Sequence, residues 1–211
     1  MKLLDLFCGA GGATKGYQKA GFMVTGIDVK HGKRYVGDGY IRGDVRDYLN
    51  NEFLSQFDVI HASPPCQTHS ATKHLRNAQG KGTSKIDLIP ETRAALMASG
   101  KPYVIENVPG APLINPIQLC GSYFHLKVRR HRLFESNQNI VGTSCDHKAQ
   151  GKPVGIYGSM RDEIPNGGHT AKTMQEANEA MGIDWMIWSE LVESIPPAYT
   201  EFIGIQLRHA F

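Results

Sequence analysis

A short apolar run that breaks into a glycine turn constrains this chain more than any other feature. Lys2–Phe7 ends at Cys8-Gly9-Ala10-Gly11-Gly12, Ala13–Ala20 then has helical spacing, and Gly21 stands as its stop. The alternation continues. Phe22–Val29 reads as a second strand, Tyr40–Val45 as a third, Asp47–Leu54 as a short helix and Phe57–Ala62 as a fourth strand halted by Pro64-Pro65. Leu88–Ala98 follows as a helix and Tyr103–Glu106 as a fifth strand. Strands alternating with helices form a parallel α/β sheet with crossovers. After Asn107 the pattern loosens: Arg132–Glu135 and Val154–Tyr157 read as late strands, Asn137–Lys152 as irregular. Lys172–Met181 and Pro196–Leu207 are again helical, the latter with proline suitably in its first turn.

At 211 residues the chain fits one domain with at most a small appendage, and it is long enough to bury a core without staples. A composition of 41% hydrophobic and 20% charged residues excludes disordered, collagen-like and coiled-coil classes. No apolar run approaches the roughly 20 residues of a membrane span, and Met1–Phe7 is too short and too soon acidic for a signal peptide, so no membrane partner is expected. The four cysteines, Cys8, Cys66, Cys120 and Cys145, form no CxxC pair, which suggests free thiols in a reducing cytoplasm. A net charge of +3 permits a polyanionic partner without requiring one.

Strand, then Gly9-x-Gly11-Gly12, then helix, places bare backbone amides at a helix start, and Asp28 ends the second strand 19 residues beyond Gly9. That spacing suits an acid on the ribose of a nucleotide-type cofactor. The competing reading is a tight turn where glycine only permits close packing, and the absence of GxGxxG argues against a dinucleotide. Ser63-Pro64-Pro65-Cys66-Gln67 follows the fourth strand directly, where open α/β sheets place their ligands. A nucleophilic thiol needs thiolate character from nearby cations, and the stretch behind it offers Lys73, Arg76, Lys81 and Lys85 with no acid before Asp87. The alternative for an isolated cysteine is a small buried hydrophobe.

In order and spacing, Asp5-Leu6-Phe7-Cys8-Gly9-Ala10-Gly11-Gly12, Pro64-Pro65-Cys66-Gln67, Glu106-Asn107-Val108 and Arg130-His131-Arg132 resemble the motifs of the DNA (cytosine-5)-methyltransferases. Thr173-Met174-Gln175-Glu176, Met181-Gly182-Ile183, Ile195-Pro196-Pro197 and Ile203-Gly204 extend the likeness through the tail. The resemblance implies a Rossmann-like fold dependent on S-adenosylmethionine, with a mostly parallel mixed sheet and helices on both faces. It implies that Cys66 attacks carbon 6 of a flipped-out cytosine, that Glu106 serves N3 and the exocyclic amine, and that Arg132 holds O2 with Arg130 beside it. For the cofactor it implies Phe7 against adenine, Gly9, Gly11 and Gly12 around the methionine portion, Asp28 at the ribose, and Asp44 and Val45 at adenine. Pro65 would lie near the methyl group, with Val29, Ser194 and, on the following helix, Leu88 as further cofactor contacts. Gln67, Lys73, Arg76, Lys81 and Lys85 would meet DNA, helped by Lys127 and Arg129.

This sequence departs from the family in two places. Val128 replaces the glutamine that normally opens the arginine motif, and Glu193 stands where an asparagine lies close to the sulfonium. Glu193 therefore either faces elsewhere or reshapes the donor pocket for a modified S-adenosylmethionine. The expected division is a catalytic part over residues 1–136, a reduced target-recognition insertion over 137–168 and closing helices over 169–211. About 30 residues can hardly build an independent reader of base edges, so specificity is expected to be short or relaxed. A small, phage-type member in a bacterium or a bacterial host cell is expected, compatible with a monomer and with a restriction–modification setting. Methylation of RNA or of a free pyrimidine nucleotide is the alternative; a non-enzymatic DNA-binding decoy fits less well, because Cys66, Glu106 and the glycine turn are all present. Cys145-Asp146-His147 is one short pair with Cys120 and His169 as remote further ligands, and no metal is expected.

Overall fold

The computed structural model describes residues 1–65, 86–158 and 168–209. Its main sheet has seven strands: β1 (Lys2–Leu6), β2 (Met23–Asp28), β3 (Gly39–Arg42), β4 (Val59–Ala62), β5 (Tyr103–Asn107), β6 (Ile117–Leu119) and β7 (Arg132–Ser136). They lie in the order β3-β2-β1-β4-β5-β7-β6. The first five strands run parallel, and β7 is antiparallel to both β5 and β6. A mixed, mostly parallel sheet is thus present, and the mixture comes from the hairpin of β6 and β7.

Alternate residues of the central strands go to opposite faces, as the pleat demands. Leu3, Val24, Val59, Val104 and Phe134 face α1 (Gly12–Lys19) and α7 (Pro197–Arg208), packing with Tyr17, Tyr199, Ile203 and Leu207. Leu4, Leu6, Ile27, Ile60 and Ile105 face the other way, onto Leu54 of α2 (Asn51–Leu54) and Leu96 of α3 (Ile89–Ala98). Both faces are covered, which is why the strands read as near-continuous apolar runs. On the α1 face the two helices touch closely: a Cβ on Gly16 would overlap the Pro197 carbonyl and the Thr200 hydroxyl.

A third apolar cluster gathers Val128, Ile156, Ala177, Met181, Met186 and Leu191 around α5 (Met174–Met181) and α6 (Trp188–Glu193). Beside it lie α4 (His147–Gln150) and a separate parallel pair, β8 (Val154–Gly155) with β9 (His169–Thr170). Trp185 and Trp188 pack against this cluster and donate their indole N–H groups to the Ala10 and Gly158 carbonyls at 2.9 and 2.7 Å.

Some elements differ from their sequence reading. The helix expected over Asp47–Leu54 is two pieces, a 3₁₀ turn at Val45–Tyr48 and the four-residue α2. Asp44 and Asn50 each accept a backbone N–H and start one of them, so two caps divide what periodicity joins. The third strand consequently stops at Arg42, short of Val45. The short strands β6 and β9 and the helices α4 and α6 carry no sequence periodicity long enough to read.

Candidate active site

Strand order reverses between β1 and β4, and a doubly wound sheet binds its ligands outside the carboxyl ends at such a point. The loops leaving those strands are 7–11 and 63–65, which carry two of the motifs.

The first loop is built from unusual backbone. Phe7 has φ 62°, Gly9 54° and Gly11 88°, so three of five consecutive residues are left-handed. Asp28, 9% exposed at the end of β2, fixes this turn: its Oδ2 accepts the Gly9 N–H at 2.9 Å and its Oδ1 the Lys30 N–H at 2.9 Å. Each oxygen keeps a lone pair for a ligand hydroxyl. A Cβ on Gly9 would meet no atom within 4 Å, so open space lies over the turn. Gly12 has a different role, because a Cβ there would overlap Ser194 and the Ile195 carbonyl. It allows the closing segment to sit on α1, where Thr200 also donates to the Ala13 carbonyl at 2.8 Å.

The other cofactor candidates are spread around this turn. Val29 is 59% exposed, Pro65 is exposed, and Leu88 is half-buried at the start of α3. Val45 is buried in the cluster of Leu4, Leu6 and Ile27. Asp44 is held by Arg46 at 2.5 Å, which pulls its carboxyl down to about 2. The half-buried Ser194 donates its hydroxyl to the Ile195 carbonyl at 3.3 Å. Glu193 points to the surface and pairs with Lys30 at 2.5 Å, joining the end of α6 to the residue that Asp28 holds.

A buried acid–base pair occupies the second motif region. Glu106 on β5 faces Arg132 on β7, with Arg132 Nε 3.1 Å from Glu106 Oε1. Because Glu106 pairs with Phe134 across the ladder, Arg132 is its diagonal neighbour on the same face. The contact is ionic without hydrogen-bond alignment, so this buried oxygen has no hydrogen-bond donor. Burial pushes the carboxyl up from its ordinary range, and Arg132, the Ser63 hydroxyl and Arg130 only partly offset that. Ser63 is itself bonded to His61 Nε2 at 2.9 Å, and His61 Nδ1 to the Tyr17 hydroxyl at 3.0 Å. Burial drives the His61 imidazole down to about 3, so it stays neutral. Next to Glu106, the buried Asn107 donates to the Pro64 carbonyl at 2.9 Å and ties the proline loop to β5.

Arg130 and Arg132 are not equivalent. Arg130 is buried with a left-handed φ of 38°, and its guanidinium donates to the carbonyls of Ser194, Ile156, Leu191 and Val192 at 2.6, 3.2, 3.1 and 2.5 Å. Its donors are engaged by the closing segment, whereas Arg132 faces the acid. Lys127 pairs with Glu179 at 3.3 Å and Arg129 donates to the Gly151 carbonyl at 3.3 Å. The candidate nucleophile Cys66 and the candidate DNA contacts Gln67, Lys73, Arg76, Lys81 and Lys85 lie outside the described residues. Pro65 immediately before them is the last described point of the loop.

The family model of the C-5 cytosine-specific DNA methylases matches residues 1–112, which include the glycine turn, Asp28, Cys66 and Glu106. The chain belongs to this family. Among curated relatives, the type II methyltransferase M.NgoPII of Neisseria gonorrhoeae is 30% identical over 122 residues, covering 52% of this chain and 34% of that protein. M.FnuDI of Fusobacterium nucleatum is 37% identical over 84 residues, 36% of this chain and 24% of its own length. The matched parts thus span about a third and about a quarter of these relatives' own length. In three dimensions a prophage-encoded E. coli protein described as a DNA modification methyltransferase superposes with a TM-score of 0.65 at 14% identity, over 99% of each chain. The S. pombe Dnmt2 methyltransferase gives 0.58 at 12% identity, over 100% of this chain and 99% of its own. At such identities these two likenesses establish the shared methyltransferase fold.

Within the family frame, several residues of the site escape sequence reading. His61, the Asn107–Pro64 tie, the Arg130 clamp and the Lys30–Glu193 bridge all depend on partners distant along the chain. Asp5, quoted only as the start of a motif, is fully buried with Oδ2 on the Thr14 hydroxyl and Oδ1 without a hydrogen-bond partner. Among the described residues no helix is long and apolar enough to cross a membrane.

Proposed function

We propose that this protein transfers a methyl group from S-adenosylmethionine to carbon 5 of cytosine in DNA. The observation that carries the reading is the buried Glu106–Arg132 pair, set one loop away from the open glycine turn and tied through Asn107 to the proline loop that leads into Cys66. The residues around the turn fit the cofactor. Open space over Gly9 admits it, and each Asp28 oxygen retains a lone pair for a ribose hydroxyl. When bound, S-adenosylmethionine supplies an electrophilic methyl group.

Carbon 5 of cytosine is a poor nucleophile until aromaticity is broken. In the proposed reaction the Cys66 thiolate adds to carbon 6, and the carbon 5–carbon 6 electron pair becomes available to take the methyl group. A base then removes the carbon 5 proton, the double bond re-forms, and the thiolate leaves. Glu106 would present its proton at N3, where negative charge builds during attack; its burial favours that protonated form. Arg132 would hold O2. Arg130 acts at one remove, by holding the Leu191–Ser194 segment over α1.

Two finer points belong to the same reading. Specificity is short or relaxed: residues 141–152 include no buried residue, so this stretch of the 137–168 interval has no core of its own from which to project base-reading side chains. DNA contacts then fall to Gln67, Lys73, Arg76, Lys81 and Lys85, with the base read after flipping. The donor is plain S-adenosylmethionine, because Glu193 is turned toward Lys30 at the surface.

A duplex carrying 5-fluorocytosine tests the proposal directly, since fluorine at carbon 5 blocks release. A denaturant-stable adduct is expected with the native chain and none with Cys66→Ser, while Glu106→Gln slows transfer to ordinary cytosine on the order of a hundredfold or more. Parallel reactions use duplex DNA, RNA and dCMP. Turnover of RNA or of the mononucleotide alone overturns the DNA reading, and a product heavier than a single methyl group overturns the plain donor.

A further inference from the structure

Four side chains from the loosely patterned half of the chain converge at a place the proposed reaction does not use. Cys120 directly follows β6 and His131 directly precedes β7. Leu119 pairs with Arg132, so the two residues form the next opposed pair beyond the ladder. Cys145 and His147 approach from the other side, at the start of α4. Cys120 Sγ lies 3.3 Å from His147 Nε2, and His131 Nε2 lies 3.3 Å from Cys145 Sγ. All four ligand atoms fall within 4.8 Å of one another.

We propose that Cys120, His131, Cys145 and His147 bind one structural zinc ion. Zinc–sulfur bonds of about 2.3 Å and zinc–nitrogen bonds of about 2.0 Å in a tetrahedron put neighbouring sulfur and nitrogen atoms roughly 3.6 Å apart, close to the separations here. Two soft thiolates with two imidazoles select zinc over magnesium or calcium. Binding releases the two thiol protons and leaves the centre neutral, which suits the buried Cys120. The surroundings support the ligands. The Ser122 hydroxyl donates to Cys120 Sγ at 3.1 Å and accepts the Asp146 N–H at 3.0 Å, linking the two ligand-bearing loops. Gly121 lets the hairpin loop close, since a Cβ there would overlap the Val128 carbonyl.

The fold also needs something at this point. α4 has four residues and buries none of them, and no residue over 141–152 is buried as a whole. A single helical turn is unstable alone, and among the described residues this one is tied to the hairpin loop by polar contacts, Gln150 donating to the Leu126 and Val128 carbonyls, and not by buried residues of its own. A metal centre supplies that cross-link in place of a core. His169, the remote ligand considered from sequence, is instead bonded to Glu176 at 2.6 Å, and His131, hidden inside the arginine motif, takes its place.

The test is metal content. The full chain, grown in zinc-supplemented medium and desalted, should carry a full equivalent of zinc by mass spectrometry. Cys120→Ser and Cys145→Ser should each lose it, and Cys66→Ser should keep it. Cobalt added to the apoprotein should give the intense visible bands of a tetrahedral thiolate site. Because Cys145 is exposed, its serine variant should remain folded by circular dichroism, which separates lost ligation from lost fold. Only traces of metal in folded protein that also fails to take up cobalt would overturn the proposal, as would a Cys120–Cys145 disulfide in freshly isolated protein. Zinc retained by both serine variants would do the same. None of these readouts depends on methyl transfer.

Discussion

The glycine-turn region and the arginine-hairpin region flank the same candidate site but are held together by different physics. Around the turn, the polar contacts that shape the loop itself join near neighbours or adjacent parallel strands, while Ala10, Ala13 and Lys30 at its rim also meet Trp185, Thr200 and Glu193 far along the chain. Gly9 reaches Asp28, Lys30 reaches Asp28, and Thr14 reaches Asp5. Beneath them lie two apolar clusters that fill both faces of the sheet. Around the hairpin, the contacts that matter cross 61 to 64 residues of chain, from Arg130 to Leu191, Val192 and Ser194. Gln150 adds to them by donating to the Leu126 and Val128 carbonyls at 2.8 and 2.9 Å. One region is a packed sheet with a polar rim, and the other sets polar clamps beside the third cluster, which holds Val128, Ile156 and Leu191. Stability in the first follows buried area, and in the second it follows individual side chains.

The largest effect that would break this contrast is at Arg130. Arg130→Met keeps most of the apolar volume and removes every donor, leaving carbonyls of Ile156, Val192 and Ser194 short of partners inside the protein. At ~1–3 kcal/mol for each unsatisfied buried group, partly relieved by water, the loss should reach about 4 kcal/mol. Arg130→Lys should recover only part of it, because a single ammonium cannot span four carbonyls. Urea denaturation gives both values. A loss below about 1 kcal/mol for the methionine variant would show that packing, rather than the clamp, holds the closing segment.

The same contrast governs what the sequence revealed. Parallel strands leave runs such as Leu3-Leu4 and Val59-Ile60 that read directly. Every strand expected before Asn107 is present, and so are the helices that begin at Gly12 and Ile89. Asp28 and Glu106 lie at the carboxyl ends of β2 and β5. What stayed illegible is long-range or backbone-made. Nothing in Arg130-His131-Arg132 says that a left-handed Arg130 turns its side chain into the closing segment while Arg132 faces Glu106. Nor does it say that His131 meets Cys145 fourteen residues away. Spacing rules for metal ligands assume short paired intervals, and a hairpin end brought against α4 satisfies the geometry without them.

A second effect tests the packed region through pH. Burial raises the Asp5 carboxyl from 3.8 to about 7 despite the Thr14 hydrogen bond. The folded state therefore holds this proton more tightly than the unfolded chain does. The stability it contributes is complete below about 4 and is lost as pH rises toward and through about 7. Asp5→Asn lacks that proton. The stability of the native chain relative to the variant should therefore fall by on the order of 3 kcal/mol between those limits. Parallel pH profiles for the two proteins would place Asp5 in a wet site, against the packed description, by tracking each other throughout.

The smallest effect is at the seam between the two regions, where Lys30 meets Glu193. Both side chains are more than half exposed, at 62% and 57%, so Lys30→Ala should change stability by less than about 1 kcal/mol, and less still at high salt. Glu193→Asn restores the residue usual in the family at that position and should leave affinity for S-adenosylmethionine within a fewfold of the native value, because the carboxylate is turned to Lys30 and solvent. Calorimetric titration of the two variants with the cofactor separates the possibilities. A tenfold or larger change in Glu193→Asn, about 1.4 kcal/mol, would mean that this carboxylate looks into the donor pocket when a ligand is bound. The clamped region would then shape the cofactor site itself as well as closing it. A matching change in Lys30→Ala would place the bridge, and not the glutamate alone, at the pocket wall.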